Sequence, residues 1–227
     1  MIVLTGASGG LGNYLIENLS GEHEIIGTYN TREPSQTGRA VGFYQVNATD
    51  SGSVERFVTS VLNKLQKITL INLAGISIDG MGHKMVDDTW DQVMDTNLKG
   101  TFLMCRALLP IMRQQNWGRI INVSSVVGQM GVPGTVAYSA SKSGLFGLTR
   151  TLAVENAKKN ITVNTLALGY FNIGMINVIP PEVQEKIKAT IPMKRLGDTC
   201  NIKTAIQFLI ESDYITGAVI NINGGLI

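Results

Sequence analysis

Short runs of apolar, mainly β-branched residues recur along the chain and alternate with longer segments of helical periodicity. SVERFVTSVLNKL is one such segment: its apolar residues recur at spacings of three and four, which predicts an amphipathic helix. Strand–helix alternation over the whole length predicts an α/β domain with a doubly wound, mainly parallel seven-stranded sheet and helices on both faces. The predicted strands lie in MIVLT, EIIGTY, AVGFYQV, ITLINLAG, GRIINVSS, ITVNTLAL and AVINI.

No linker or internal repeat divides the chain, so we expect residues 1–227 to form a single domain. Residues 170–198 interrupt the alternation with three prolines and the amphipathic stretch EVQEKIKATI. A long insertion beyond the carboxyl end of a strand predicts a lid over a substrate site. Its apolar residues favour a partly apolar substrate, or else face the core of the lid itself: Met175, Ile176, Val178 and Ile179.

The composition narrows the class of protein. With 44% hydrophobic residues, 16% charged residues and a net charge of +2, the chain is neither disordered nor suited to nucleic acid. Cys105 and Cys200 are far apart and His23 and His83 are scattered, so neither a disulfide framework nor a metal site is expected. No apolar run approaches about 18 residues and no basic leader precedes MIVLTGAS, which predicts a cytoplasmic protein without a membrane segment.

A glycine-rich loop, TGASGGLG, follows the first predicted strand and opens a helix. Glycines let the backbone turn sharply and approach a pyrophosphate at the helix N-terminus. A plain strand–helix turn has the same letters, but this position in an alternating fold favours a dinucleotide site, and no Gly-Lys-Ser/Thr sequence indicates a P-loop. The predicted contacts are Gly6, Ser8, Gly10, Leu11 and Gly12.

The end of the second strand bears on the choice between NAD and NADP. A carboxylate here accepts hydrogen bonds from the adenosine ribose hydroxyls of NAD, whereas an arginine favours the 2′-phosphate of NADP. Residues 28–31 contain no acid and Arg32 follows at once, so NADPH is favoured over NADH. Glu33, deeper in the turn, competes for this role, and Arg32 as a solvated turn charge is the other alternative.

The stretch AYSASKSG places Tyr138 and Lys142 four positions apart, where they are neighbours on one helix face. A surface helix that exposes both groups to water has the same spacing. As an acid–base pair, the ammonium would stabilise the phenolate, whose pKa in water is about 10. Lowering that pKa by about three units requires roughly 4 kcal/mol. The small residues between them leave room for a cofactor beside the helix.

In this order the motifs resemble the short-chain dehydrogenase/reductase family over nearly the whole chain. NLAG, TNLKG, INVSS, PMKRLG and INGG join the glycine loop and YSASK in carrying the resemblance. The chain is most similar to the 3-oxoacyl-[acyl-carrier-protein] reductases through VNATDSGSVERFV, GRIINVSSVVGQMG and GLFGLTRTLAVENAKKNITVN, although many other reductases share such phrases. The resemblance implies a Rossmann-type fold, hydride transfer between a nicotinamide and a carbonyl carbon, and a homotetramer joined through residues 88–115, residues 136–158 and the C-terminal strand.

The resemblance also implies roles for individual residues. Tyr138 is the general acid, Lys142 stabilises it and holds ribose hydroxyls, Ser125 holds the substrate oxygen, and Asn97 anchors a proton-relaying water. Ser124 is the alternative to Ser125, and strand-end capping and helix bending are the structural alternatives for the serine and the asparagine. A Ser–His–acid triad lacks a placed base. The implied cofactor contacts are Asn47 and Ala48 at the adenine, Asn72, Ala74 and Gly75 under the adenosine ribose, and Gly169.

Three departures from the family pattern bear on function. Leu73 replaces the second asparagine of NNAG, Leu168 replaces the proline before Gly169, and Ile173 replaces the threonine that binds the nicotinamide carboxamide. Isoleucine cannot form that hydrogen bond, although Asn172 offers a substitute. A non-catalytic NADP-binding protein with a structural or regulatory role is therefore an alternative to the enzyme, although the four catalytic positions are all retained.

The substrate is left open between classes. One candidate is a 3-oxoacyl thioester, either free or carried by an acyl carrier protein. Such a carrier is acidic and could dock on a basic patch of Arg119, Lys158 and Lys159, unless these charges only make the protein soluble. Another ketone, a sugar or a secondary-metabolite carbonyl is the alternative. Apolar residues in the predicted interface helices suit subunit contacts or core packing equally: Leu108, Met112, Leu145 and Leu148.

Overall fold

A computed structural model of the chain describes residues 1–34, 40–174, 176 and 179–227. Its centre is one sheet of seven strands in the order β3-β2-β1-β4-β5-β6-β7. Every neighbouring pair is parallel, which confirms the predicted doubly wound α/β sheet. The strands are β1 Ile2–Thr5, β2 Ile25–Tyr29, β3 Ala40–Gln45, β4 Thr69–Asn72, β5 Gly118–Ser125, β6 Ile161–Leu168 and β7 Val219–Ile222.

The order of the strands determines where a ligand can bind. β1 pairs with β2 on one side and with β4 on the other, so the chain reverses direction across the sheet at this point. In open α/β sheets this reversal leaves a crevice outside the carboxyl ends of the strands. The glycine-rich loop after β1 and the ends of β4 and β5 border that crevice.

Helices cover both faces of the sheet because successive strand residues point to opposite sides. The helices are α1 Gly10–Leu19, α2 Ser51–Val61, α3 Asp87–Met94, α4 Gly100–Gln115, α5 Val136–Asn156, α6 Pro181–Thr190 and α7 Thr199–Glu211. Val3 packs in the core under α2, α4 and α5, whereas its neighbours Ile2 and Leu4 pack in the core under α1 and α7.

The helix predicted in SVERFVTSVLNKL forms α2, but it ends earlier than the periodicity predicts. Asp50 caps its start by accepting a hydrogen bond of 2.9 Å from the Gly52 amide. After Val61 the chain tightens into a 3₁₀ turn. Leu62, the first residue of that turn, has an exposed fraction of 53%.

Three of the apolar residues considered for a subunit interface belong to the subunit's own core. Leu108 and Met112 on α4 are fully buried, and Leu145 on α5 is nearly so. Leu148 packs at the edge of the same core. Core packing therefore accounts for all four.

Within the described residues, no helix combines the length and apolar character needed to cross a membrane. The same part of the chain contains no group of three or more histidine, cysteine, aspartate or glutamate side chains placed to hold a metal ion. Cys105 is buried, Cys200 is exposed, and both are free thiols.

The sequence suggested that Arg119 belongs to an exposed basic patch, but the structure shows that it does not. It is 4% exposed at the start of β5, where its guanidinium lies 4.7 Å from the Trp117 ring. Nε donates to the Ile210 carbonyl at 3.1 Å, and Nη1 donates to the carbonyls of Gly118 at 2.9 Å and Asn160 at 3.2 Å. Arg119 therefore fastens the end of α7 and the turn before β6 to the sheet.

The two lysines of that predicted patch are exposed, but they lie far from the crevice. Lys158 and Lys159 belong to a 3₁₀ turn that precedes β6, at the amino edge of the sheet. The crevice is at the carboxyl edge, and β6 alone separates the two edges by eight residues, about 26 Å.

We expect Arg119→Met to destabilise the protein by about 2–3 kcal/mol, because three backbone carbonyls lose their charged donor while the side-chain volume is kept. Urea denaturation measures the free energy of unfolding. Lys158→Met removes an exposed cation from the same edge and should leave it unchanged. Equal unfolding midpoints for the two variants would contradict the fastening role.

Candidate active site

Three elements bring the predicted catalytic residues together at the carboxyl edge of the sheet. Ser125 ends β5, Tyr138 and Lys142 occupy the first two turns of α5, and Asn97 lies in a π-helical turn, Asp95–Lys99, that joins α3 to α4. The Ser124 hydroxyl donates to the Lys142 carbonyl at 2.8 Å, which sets the height of α5 against β5. Ser124 is buried by this contact, so it is not available to a substrate.

Lys142 is a buried cation beside the tyrosine. Its side chain is 5% exposed, its Nζ donates to the Val123 carbonyl at 2.8 Å, and the same nitrogen lies 5.6 Å from the centre of the Tyr138 ring. Burial lowers the pKa of Lys142 to about 8. The alternative in which both groups are displayed on a surface helix is therefore wrong for the lysine.

Tyr138 faces Ser125 on the other side. Burial of the phenol raises the pKa of Tyr138 to about 12, and the carboxylate of Asp79 contributes to this rise. A hydrogen bond with Ser125 lowers the pKa and offsets part of the rise. The phenol is thus protonated at neutral pH, as a proton donor must be. Ser125 also accepts a 3.3 Å bond from the Val127 amide, so the capping role considered for it is present as well.

Asn97 connects α5 to the loop after β4. The residue is fully buried, its Oδ1 accepts from the Ile76 amide at 2.8 Å, and its Nδ2 donates to the Ile76 carbonyl at 2.9 Å. A further bond of 3.0 Å runs from Nδ2 to the Ser141 hydroxyl. Both amide hydrogens are used, so only the remaining lone pair of Oδ1 is left for the predicted water. π-helical turns of this kind often mark functional sites.

Gly75 keeps the space between Asn97 and Lys142 open. A Cβ atom on this exposed residue would lie 3.1 Å from Asn97 Oδ1 and 3.3 Å from Lys142 Nζ. Any larger residue would therefore displace the lysine. The backbone at Gly75 is the natural floor for the part of a ligand that approaches Lys142.

The glycine-rich loop has the shape that a pyrophosphate requires. Gly6 has a φ of +70°, and a Cβ there would lie 2.9 Å from the Ala74 backbone. A Cβ on Gly12 would overlap the Gly6 carbonyl oxygen. The Ala7 amide donates to the Thr28 carbonyl at 2.9 Å, which anchors the loop between β1 and β2. The residues present therefore fit a dinucleotide, whose phosphates the start of α1 would bind. The other two predicted contacts, Ser8 and Leu11, are partly buried.

The residues assigned to the adenosine half lie at the ends of β2, β3 and β4. Asn47 is exposed, and its Oδ1 accepts from the Thr49 amide at 3.1 Å and hydroxyl at 2.9 Å, while Ala48 is partly buried beside it. Arg32 and Glu33 are both exposed after β2. Residues 35–39, which follow them, lie outside the described residues.

The side chain of Asn72 is engaged within the sheet, so its predicted contact with the ribose would have to come from the backbone. It is 3% exposed, and its Nδ2 donates to Asn122 Oδ1 at 2.9 Å and to the Cys105 sulfur at 3.4 Å. Asn72 therefore ties β4 to β5, and only its backbone is left for a cofactor. Ala74 and Gly75, beyond the strand, remain on the crevice side.

Ile173 lies on the glycine-rich loop as an apolar contact. Its Cγ1 would be 3.2 Å from a Cβ on Gly10, and it packs at the edge of the core under α1. The neighbouring Asn172 is exposed, and its backbone amide donates to the Gly197 carbonyl at 3.1 Å. This segment follows Gly169, whose amide donates to the Ile222 carbonyl at 2.9 Å.

The predicted lid contains α6. Gln184 on α6 donates to the carbonyls of Ile176 at 3.1 Å and Ile179 at 2.8 Å, which ties the helix to the segment before it. Ile176 is 5% exposed, so of the two roles considered, substrate contact and core packing, it has the core-facing one. Ile179 is partly buried. Met175 and Val178 lie outside the described residues.

Two residues at the site were missed in the sequence. Ser141 accepts from Asn97 and donates to the Tyr138 carbonyl at 2.8 Å, so it joins two predicted catalytic residues. Asp79 is the carboxylate that acts on the Tyr138 phenol. The sequence did offer signals for both: Ser141 carries a hydroxyl three residues after the tyrosine, and Asp79 is an acid in the loop after NLAG.

Comparisons with known proteins show which family the sequence matches. The sequence model of a family described as enoyl-(acyl carrier protein) reductase matches residues 24–227. The 3-oxoacyl-[acyl-carrier-protein] reductase of Thermotoga maritima is 37% identical, over 99% of this chain and 96% of its own length. That of Escherichia coli is 34% identical over 99% and 96%. Nodulation protein G of a Rhizobium species is 36% identical, over 99% of this chain and 95% of its own length.

We expect Lys142→Met to stabilise the cofactor-free protein. A folded-state pKa of about 8 against 10.5 for a free lysine corresponds to a penalty of roughly 3 kcal/mol at pH 7. The unfolded chain binds more protons between these values, so the free energy of unfolding should rise as the pH increases from 8 to 10.5. Allowing for the lost bond to Val123, the variant should gain about 2 kcal/mol at pH 7 and lack this rise.

Urea unfolding followed by circular dichroism at several pH values between 6 and 10 measures this effect. Lys159→Met, at an exposed lysine, is the matched control and should follow the unsubstituted protein. A Lys142→Met variant that is less stable at pH 7, together with a flat pH profile of the unsubstituted protein, would refute the penalty.

Proposed function

Because the chain belongs to the short-chain dehydrogenase/reductase family of oxidoreductases, we propose that it reduces a ketone with NADPH and uses Tyr138 as the general acid. One observation carries this proposal: the buried ammonium of Lys142 lies 5.6 Å from the centre of the Tyr138 ring, and the phenol of the same tyrosine is within reach of Ser125. The glycine-rich loop supports the cofactor, because its shape fits a pyrophosphate. NADPH supplies the hydride when bound.

The residues of the chain would handle the oxygen and the proton. The Ser125 and Tyr138 hydroxyls would hold the ketone oxygen, and Tyr138 would donate its proton to that oxygen as negative charge develops on it. Lys142 would favour the phenolate that remains, since an opposite charge nearby stabilises the ionised form. Asn97 would keep the loop at Ile76 and the hydroxyl of Ser141 in place around this pair.

Arg32 supports NADPH over NADH. It is exposed immediately after β2, where the 2′-phosphate of NADP is read in folds of this type. Thr28, at the end of the strand, is buried and uncharged. Glu33 is exposed too, but it stands one residue further into the turn.

A 3-oxoacyl thioester is the proposed substrate, carried by coenzyme A or by an acyl carrier protein. The names of the relatives of Thermotoga maritima and Escherichia coli support it. The similarity to nodulation protein G supports a second candidate, a reductase of another ketone. Reduction of a carbonyl suits the Ser125–Tyr138 pair better than reduction of a carbon–carbon double bond, because both hydroxyls can address one oxygen.

A cofactor-binding protein without efficient turnover is the candidate from a different class. Ile173 favours it, because an apolar side chain lies on the glycine-rich loop where the family places a hydrogen-bonding threonine. The retention of Asn97, Ser125, Tyr138 and Lys142 favours the enzyme; Asn97 and Lys142 are buried, and Ser125 and Tyr138 are partly buried. Free Cys105 and Cys200 suit a reducing compartment such as the cytoplasm.

A homotetramer is proposed from the family. The faces of α4, α5 and α7 support it, because large apolar side chains stay exposed on all three helices: Phe102 at 39%, Val154 at 81% and Phe208 at 50%. Large apolar side chains that stay exposed on helix faces are suited to contacts between chains.

Turnover of an acetoacetyl thioester tests the chemistry, followed by the loss of NADPH absorbance. We expect Tyr138→Phe to reduce kcat at least 100-fold, roughly the contribution of a general acid, and to leave NADPH binding nearly unchanged. NADH should be the poorer donor, and a crotonyl thioester, which has a double bond and no ketone, is the control substrate. Unchanged turnover in the variant would refute the role of Tyr138, and NADPH binding without turnover of any carbonyl would favour the binding protein.

Light scattering after size exclusion tests the assembly. We expect four chains per particle at micromolar concentration, and Val154→Glu should lower that number because it introduces a charge into the proposed contact surface. Glu155→Gln, on the adjacent residue, serves as the control. A monomer at micromolar concentration would contradict the tetramer.

A further inference from the structure

The turn formed by residues 192–197 has no part in the chemistry proposed above, yet it borders a cavity of about 440 Å³. That volume is in the range of small-molecule sites. The cavity lies between this turn, the segment after β6, the start of α7 and the end of β7. Its lining includes Tyr170, Phe171, Arg195, Asn201, Asn221 and Asn223.

This cavity lies on the same edge of the sheet as the catalytic residues. Leu168, at the end of β6, pairs with Ser125, and Tyr170 follows two residues later. β7 is two strands away from β5, which corresponds to about 10 Å. A substrate whose ketone is held by Ser125 therefore needs an extended portion of about that length to enter the cavity.

Apolar and amide groups share the walls. Phe171, Met193 and Ile222 provide apolar surface, and three asparagines provide amide groups. Asn223 is 9% exposed, and among the described residues its Nδ2 has no hydrogen-bond partner. The occupant should therefore be a flexible molecule that carries both apolar and amide groups.

Arg195 is the cation of this lining, and little else engages it. Its guanidinium makes one long bond, 3.3 Å from Nη1 to the Leu196 carbonyl, and within the described part of the chain no carboxylate lies within 4.0 Å of it. The nearby Asp198 carboxylate accepts from the Cys200 amide at 2.9 Å and so caps α7. The pKa of Asp198 is lowered mainly by its bond from the Cys200 amide and to a smaller extent by the charge of Arg195, so the two groups interact without direct contact. An arginine with free N–H donors at the wall of a cavity is suited to a phosphate.

From these groups, and given the proposed function on which the inference rests, we propose that the cavity binds the phosphate end of the phosphopantetheine arm of a thioester substrate, with Arg195 paired to the phosphate. The arm carries two amides, a hydroxyl and a gem-dimethyl group before its phosphate, which match the asparagines and the apolar walls. It is about as long as five residues of extended chain, roughly 17 Å, which exceeds the separation of about 10 Å between β5 and β7. Coenzyme A and acyl carrier proteins both present this phosphate.

Initial rates with three acetoacetyl thioesters test the assignment. Pantetheine carries no phosphate, whereas coenzyme A and a holo-acyl carrier protein do. We expect Arg195→Gln to raise KM for the coenzyme A and carrier thioesters about tenfold and to leave KM for the pantetheine thioester and every kcat unchanged. Lys186→Gln, at an exposed cation of α6 outside the cavity lining, should change none of these values.

Titration calorimetry with coenzyme A in the presence of NADPH gives a readout that does not need turnover, and Arg195→Gln should weaken this binding by the same factor. An equal rise of KM for all three thioesters would overturn the assignment. A rise of KM for only the coenzyme A thioester or only the carrier thioester would also overturn it, because Arg195 would then contact the nucleotide or the carrier surface and not the shared phosphate. A change in particle mass on light scattering would likewise overturn it in favour of a subunit contact. If the protein reduces no thioester yet calorimetry shows the Arg195-dependent binding, the proposed reaction fails and the phosphate site stands.

Discussion

A buried ammonium beside a buried phenol is the constraint on which the rest of the site depends. Lys142 is almost fully enclosed, and a single described acceptor, the Val123 carbonyl, takes a hydrogen bond from its nitrogen. Burial of a charge opposes folding, so the surroundings have to hold this side chain in place. Gly75 leaves the space, and Ser124 holds the helix backbone at Lys142. The same burial leaves little water to screen the ammonium from Tyr138.

Buried polar contacts then fix α5 against the sheet. Asn122 donates to the Thr149 hydroxyl at 2.8 Å, and that hydroxyl lies 2.7 Å from the hydroxyl of Thr165 on β6. With the Ser124 contact, α5 is bonded to β5 at two heights, two helical turns apart. Polar bonds are directional, so they define the rotation and the height of the helix more narrowly than apolar packing does. This arrangement fixes the positions of Tyr138 and Lys142 relative to β5.

Much of this could be predicted from the sequence, because strand–helix alternation and the spaced motifs are local patterns. The seven strands and the Tyr138–Lys142 neighbourhood follow from such patterns. The errors concern contacts that are distant in the chain. Arg119 appeared to be an exposed cation, yet the carbonyls that bury it come from residues 91 and 41 positions away. The side-chain bond from Asn72 to Asn122, 50 positions away, could not be predicted from the sequence either.

The central claim is that the cation beside Tyr138 prepares the phenol for proton transfer once the cofactor is bound. Burial raises the pKa of Tyr138 to about 12 in the cofactor-free chain, so binding of NADP⁺ has to lower it. A titration of tyrosinate absorbance with and without NADP⁺, with the Tyr138→Phe signal subtracted, measures this pKa directly. The account predicts that saturating NADP⁺ moves it below the value of about 10 for free tyrosine. A pKa that stays near 12 with NADP⁺ bound would contradict the account.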